Sequence, residues 1–406
     1  MKACGLIVEY NPFHFGHLYH LQQSRGKSGA DCVVAVMSGN FLQRGEPAII
    51  DKFSRAKAAI ECGVDLVVEL PAVFAVQNSD LFAKGALLTL DELKVETVCF
   101  GSEHGRIDTF NQAYEHYNQH QEKYDQELKR SLRNGYSFPE ASRIAYQSIG
   151  LNAETFDLSK PNNILGYSYV KTIRDYGLSI HPLTIKRVHN DFHEPVINHS
   201  IASATSIRNE LNKHQTITED AKKTLPEPVQ QLLFEYKAEA GLWHSWQAYF
   251  DILQYRILTM EVEEIREIHG VEEGLENRLK ATAAEADNFM DWMTALKTKR
   301  YTWTRLQRIM VHLLLNNKKQ TIQPLLAIEK VPHLRILAMN KTGRAYINQK
   351  RKDIEAPLVS QLKKQKGPLA VIDEKASNAY YSVANQHTRS KLRRQERTSP
   401  YISSEA

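Results

Sequence analysis

Val8-Glu9-Tyr10-Asn11-Pro12-Phe13-His14-Phe15-Gly16-His17 decides how the rest of the chain is read. Cys4 to Val8 is an apolar run bounded by turn residues, the pattern of a strand covered on both faces. Asn11-Pro12 ends it, because proline fixes φ and has no N–H to give a ladder. A helical pattern follows His17, with Leu18, Leu21 and Gln22. Strand, turn and helix set free backbone N–H groups and the positive end of a helix dipole where a phosphate can sit. Gly16 lets a ligand approach the backbone. His14 and His17, three apart across the turn, can both face it.

The His14-Phe15-Gly16-His17 tetrad has the form HxGH, and so resembles the signature of the nucleotidyl-transfer superfamily that includes class I aminoacyl-tRNA synthetases. The residue types suit that chemistry. When an acid attacks the α-phosphate of a nucleoside triphosphate, charge grows on the phosphoryl oxygens and on the leaving pyrophosphate. Two imidazoles offer positioned donors without the fixed charge of lysine.

The totals bound the class. The chain has 406 residues, enough for two or three domains, with 42% hydrophobic and 24% charged residues, as in a soluble globular protein. No apolar run has the length of a membrane span, and no signal-peptide pattern precedes the first strand. Cys4, Cys32, Cys62 and Cys99 lie in apolar contexts without metal-ligand spacing, so reduced thiols and a cytoplasmic location are expected. The net charge of +5 is uneven: from Lys341 onward there are 14 Lys and Arg against 6 Asp and Glu. A basic end on a near-neutral body suggests an acidic macromolecular partner, with nucleic acid first.

Four more buried-type strands are expected: Asp31 to Met37, Asp65 to Leu70, Val95 to Phe100 and Ile180 to Val188. Helices fall between them, including one from Asp51, which can cap it, to Cys62, and one from about Ser79 to Leu93. Alternation of apolar strands with helices implies a five-stranded parallel Rossmann-like α/β sheet, with ligands beyond the carboxyl ends of its strands. Those ends include Gly101, which can pack under a base or ribose. Asp108 to Tyr146 reads as a polar helical excursion. Asn162 and Asn163 open a helix, as caps or as partners of a nucleotide base. Between His189 and His199, Pro195 and the lack of a helical pattern argue against a metal cluster of His189, His193 and Glu194, and no metal site is expected. Ser203-Ala204-Thr205-Ser206-Ile207-Arg208 starts another helix. Its hydroxyls can cap, or with Arg208 clamp a pyrophosphate.

Taken with Gly5 to Leu21, the Met37 to Pro71 stretch, Ile201 to Arg208 and Lys297 to Met310, the chain resembles the bacterial tRNA(Met) cytidine acetate ligase family over essentially its whole length. The resemblance implies an enzyme that binds ATP and activates acetate as acetyl-adenylate. It then transfers the acetyl group to N4 of the wobble cytidine of elongator tRNA(Met). It implies an ATP site of Ile7, Val8, Glu9, Tyr10, Asn11, Pro12, Phe13, His14, Phe15, Gly16, His17, Leu18, Tyr19, His20, Gly101, Asn162, Arg187 and Val188. His14, His17, Ser206 and Arg208 are the expected catalytic residues. Mg²⁺ is expected to offset the triphosphate charge, held mostly by ATP and water because no carboxylate cage is visible.

From about Glu219 helical patterns take over, giving a division at about residue 215 into a catalytic domain (1–215) and a mainly helical domain (216–406) with a partly mobile basic end. Lys297, Lys299, Arg300, Tyr301, Trp303, Arg305 and Arg308 interleave cations with aromatics. Such a surface neutralises phosphates and stacks unpaired bases, so Lys297, Lys299, Arg300, Tyr301 and Arg305 are expected to bind tRNA. Two other readings share the motifs: a nucleotidyltransferase acting on a small metabolite, and a non-catalytic adaptor that binds ATP and RNA.

Overall fold

The computed structural model describes residues 1–151, 156–187, 203–272, 274–361 and 367–403. Its centre is a sheet in the strand order β5-β4-β1-β2-β3-β6-β7, with β8 paired to β6. The first five strands are Ala3–Val8 (β1), Cys32–Ser38 (β2), Leu66–Leu70 (β3), Thr97–Ser102 (β4) and His181–Lys186 (β5), all parallel. Every residue of β2 and β3 is buried, as strands covered by helices on both faces require. The chain runs β1-β2-β3 to one side, then returns to β4 and β5 on the other. The order therefore reverses between β1 and β4, and a crevice opens at their carboxyl ends.

Local signals set the helices. Asp51 accepts from Ser54 N at 2.8 Å and caps the Lys52–Glu61 helix; Asn78 caps Ser79–Glu92 through Leu81 N at 3.0 Å. The expected excursion is three helices, Ile107–Gln119, Gln121–Arg133 and Phe138–Ser148.

The expectation of five strands falls short. Leu334–Met339 (β6) pairs antiparallel with β3, and two short strands, Leu358–Val359 (β7) and Tyr401–Ile402 (β8), pair parallel with β6. Leu-Arg-Ile-Leu-Ala-Met is a short apolar run, which among helices reads as one more helical turn. The charged side chain within it is paired inside the sheet. Arg335 is buried at the end of β3, 3.1 Å from Glu69. Lys52 lies between Glu69 at 2.7 Å and Glu396 at 3.1 Å, and Arg335 also pairs with Glu396. The stretch after Thr388, expected to be mobile, carries Glu396 into this network and continues into β8. Past about Glu219, where helical patterns take over, the helices include Glu227–Ala240, Phe250–Thr259, Leu275–Glu285 and Trp303–Leu315. All four cysteines are free thiols, and no helix among the described residues is long and apolar enough to cross a membrane.

Candidate active site

The turn between β1 and the Phe15–Ser28 helix sits at the crevice. It passes through a cis Asn11–Pro12 bond, with Tyr10 at φ 50°. Arg55, fully buried, fixes the strand ends beneath it. Its guanidinium donates to Glu9 O at 2.6 Å, Ser38 O at 3.1 Å, Ile50 O at 3.2 Å and Gly39 O, so one side chain ties the exits of β1 and β2 together. Asn11 Oδ1 accepts from Ile49 N at 2.7 Å. The Glu9 carboxylate accepts from Gln43 N at 2.7 Å, and burial pushes it up.

His14 and His17 form a reciprocal cap. His14 Nδ1 accepts from Gly16 N at 3.0 Å, and His17 Nδ1 accepts from His14 N at 3.3 Å. A ring nitrogen that accepts carries no proton, so both neutral rings bear theirs on Nε2. The rings lie 3.9 Å apart with 32° between their planes. Both must be neutral to sit this close. Burial, then Arg187 and Arg208, pulls His14 down to about 3; burial, then His14, Arg187 and His20, holds His17 well below the usual imidazole value. One turn further, His20 is pulled down to about 4 by burial and Arg187, and its Nε2 has no partner among the described residues.

One expectation needs correction. The N–H groups that open this helix are not free for a phosphate: Phe15 N donates to Thr224 O, Gly16 N to the His14 ring, and His17 N and Leu18 N to His14 O. The imidazoles replace them as donors. Ile7 and Val8 end β1, Pro12 and Phe13 are buried in the turn with the Phe13 ring 5.7 Å from His17, and Leu18 and Tyr19 pack partly against the core.

The far wall comes from β4 and β5. Arg187 N donates to Ser102 O, and the exposed Arg187 side chain passes Gly101 so closely that a Cβ there would stand 3.4 Å from its Cγ. Neither Asn162 nor Asn163 caps its own helix, Pro161–Asp175. Glu103, just past β4, does so, accepting from Asn162 N at 3.2 Å and Asn163 N at 2.8 Å. Asn162 Nδ2 also donates to Glu103 at 2.7 Å, while Asn163 Oδ1 accepts from Glu103 N and His104 N. Sequence reasoning missed Glu103 because a cap from another strand leaves no local pattern. Val188 and the His189 to His199 stretch lie outside the described residues.

The serine-arginine segment does reach the turn. Arg208 Nη1 donates to Asn11 O at 3.0 Å, and Nη2 to Glu46 at 3.1 Å. Ser206 does not point into the crevice: its Oγ donates to Ser203 O at 2.8 Å and its N to Ser203 Oγ at 3.1 Å. Ser203 is thus the cap of the Ala204–His214 helix, Ser206 is the residue whose N–H it takes, and Arg208 is the residue that crosses to the turn.

The helical half grips the loop beside the turn. Trp246 Nε1 donates to Gly45 O at 2.9 Å, Arg308 to Gln43 O at 3.3 Å and Tyr380 to Ala48 O at 2.7 Å. Gly45 has φ 78° and lies against the Arg308 backbone, where no side chain fits. On the outer surface Lys297, Lys299 and Arg300 are exposed, and Glu272 bridges Arg300 at 3.1 Å to Arg305. Tyr301 is only 7% exposed, with Arg305 over its ring at 4.8 Å. One face of the ring expected to stack a base is thus taken by a guanidinium.

A family model described as HIGH nucleotidyl transferase matches residues 1–396. A tRNA(Met) cytidine acetate ligase of Oceanobacillus iheyensis is 49% identical over 402 residues, covering 99% of this chain and all of that one. That of Bacillus subtilis is 43% identical, covering 98% of this chain and 96% of its own. Among solved structures, apo Thermotoga maritima TmcAL superposes with a TM-score of 0.91 at 33% identity, and the same protein bound with alpha-thio ATP with 0.89; each match covers 99% of both chains.

Proposed function

The chain belongs to the tRNA(Met) cytidine acetate ligase family of HIGH nucleotidyl transferases, and from this we propose that it acetylates the wobble cytidine of elongator tRNA(Met) at N4, using ATP and acetate. In the first step an acetate oxygen attacks the α-phosphorus and pyrophosphate leaves, giving acetyl-adenylate. In the second the cytosine amine attacks the acetyl carbon and AMP leaves. Acetate is ionised at neutral pH, so the first step needs no general base. Alignment and charge stabilisation supply the rate.

The neutral His14 and His17 rings carry this reading, because their Nε2–H groups suit the charge that grows on the phosphoryl oxygens. Arg187 meets the triphosphate from β5. Gly101 leaves room for the nucleoside, and Asn162 keeps Oδ1 to accept from the adenine amine. Arg208 holds the turn and exchanges Glu46 for a phosphate when ATP enters. No cluster of three or more acidic, His or Cys ligands for a metal exists among the described residues. Mg²⁺ would offset the charge of the triphosphate, and no step assigned to this chain's residues runs through it. Residues 1–215 hold the chemistry. The helical part, through Lys297, Lys299, Arg300 and Arg305, holds tRNA, a substrate that places the enzyme in the cytoplasm.

His17→Ala tests the proposal. Acetate-dependent pyrophosphate exchange should fall by about 10²-fold or more, with tRNA affinity kept. Equal loss of both overturns the division of labour.

A further inference from the structure

Arg55 is fully buried, and every hydrogen bond of its guanidinium goes to a backbone carbonyl; among the described residues it has no carboxylate partner. Three more polar atoms at the same strand exits lack partners among the described residues. Asn11 Nδ2, Ser38 Oγ and Asn40 Nδ2 are sealed from solvent and bond no described residue, on residues 4%, 0% and 2% exposed. The amide orientations are fixed, since Asn11 Oδ1 accepts from Ile49 N and Asn40 Oδ1 from Lys52 N at 2.9 Å. The two asparagines flank one segment: Ala48 N donates to Asn40 O, and the next N–H to Asn11 Oδ1. The carboxylates of Asp51, Glu9 and Glu69 act on Arg55 without pairing with it directly, and unmet buried donors beside a cation that bonds only carbonyls describe an anion site.

We infer that the exits of β1 and β2 form the acetate subsite, with Asn11 Nδ2, Ser38 Oγ and Asn40 Nδ2 donating to its carboxylate. The inference rests on the functional reading above. Asn11 belongs to the turn that carries His14 and His17, so an acid held here lies beside the phosphate they stabilise. One carboxylate oxygen takes the donors; the other forms the bond to the α-phosphorus as the bond to pyrophosphate breaks, and no proton moves. The Phe41–Pro47 loop, with Phe41 and Leu42 both 1% exposed, roofs the exits.

The test measures acetate-dependent pyrophosphate exchange with Ser38→Ala and Asn40→Asp, alongside ATP affinity and thermal melting. Asn40→Asp keeps the acceptor for Lys52 N and sets a carboxylate where the donor stood. Its acetate KM should rise about tenfold or more, and that of Ser38→Ala about threefold or more, with ATP affinity unchanged. Acetate KM within twofold of the parent in both folded variants means that the donors hold only ordered water, and overturns the subsite. Equal loss of ATP affinity also overturns it, by assigning the donors to the nucleotide. If Asn40→Asp does not fold, Ser38→Ala decides. Absence of acetate-dependent exchange in the parent protein refutes the functional reading itself, and the subsite with it.

Discussion

Arg208 donates to the carbonyl oxygen of Asn11 at 3.0 Å across 197 residues of chain. The bond joins the two motifs singled out in the sequence, and it holds the turn that Arg55 holds through Glu9 O. Arg208→Ala should lower acetate-dependent pyrophosphate exchange by about 10- to 100-fold, mainly through the KM for ATP. Unchanged exchange would show that Asn11 keeps its place without this bond.

The imidazoles predict a pH response of stability. Burial brings His14 and His244 each down to about 3, from an ordinary value of 6.5. At pH 7 both are neutral whether folded or unfolded. Below about 6.5 the unfolded chain takes up protons that the folded chain refuses, so stability falls with pH until the folded value is reached. Between pH 6.5 and 5.5 the two rings together should cost about 2 kcal/mol, read from urea unfolding. Adenylation by the folded enzyme should show no imidazole ionisation over that range. A flat stability profile would contradict the burial of neutral rings.

The exposed cations Lys299 and Arg300 should act on tRNA alone. Replacing both by alanine should weaken tRNA binding about tenfold and flatten its dependence on salt, since fewer counterions are released. Pyrophosphate exchange without tRNA should stay unchanged. A fall in adenylation would place this surface in the catalytic half.

Glu396 anchors the chain end. Burial pushes its carboxyl up, but Lys52 and Arg335 outweigh burial and hold it below the usual range. Glu396→Gln leaves two buried cations to Glu69, and should cost about 3–5 kcal/mol by urea unfolding. A cost under 1 kcal/mol would mean that the end is loosely held.

The sheet was legible where apolar runs alternate with capped helices, because burial on both faces leaves a local trace. β6 was not, since its partner β3 lies over 250 residues earlier and Arg335 interrupts the apolar pattern. At the site, His14, His17 and Arg208 were readable as motifs, and the structure brings them together. The surroundings of Ser206 and Tyr301 were not readable. A hydroxyl turned back on its own helix start and one free to bind phosphate look alike in sequence, and so do a half-covered ring and an open one. Glu103 and Arg55 act across strands, through partners that no local spacing encodes.

The central claim is that one turn, held by Arg55 and Arg208, activates acetate for transfer to tRNA. Mass spectrometry of tRNA(Met) after incubation with the enzyme, ATP and isotopically labelled acetate measures this most directly. The account predicts labelled N4-acetylcytidine at the wobble position, with one AMP and one pyrophosphate formed for each acetyl group. Unlabelled tRNA, or ATP converted to ADP, would contradict it.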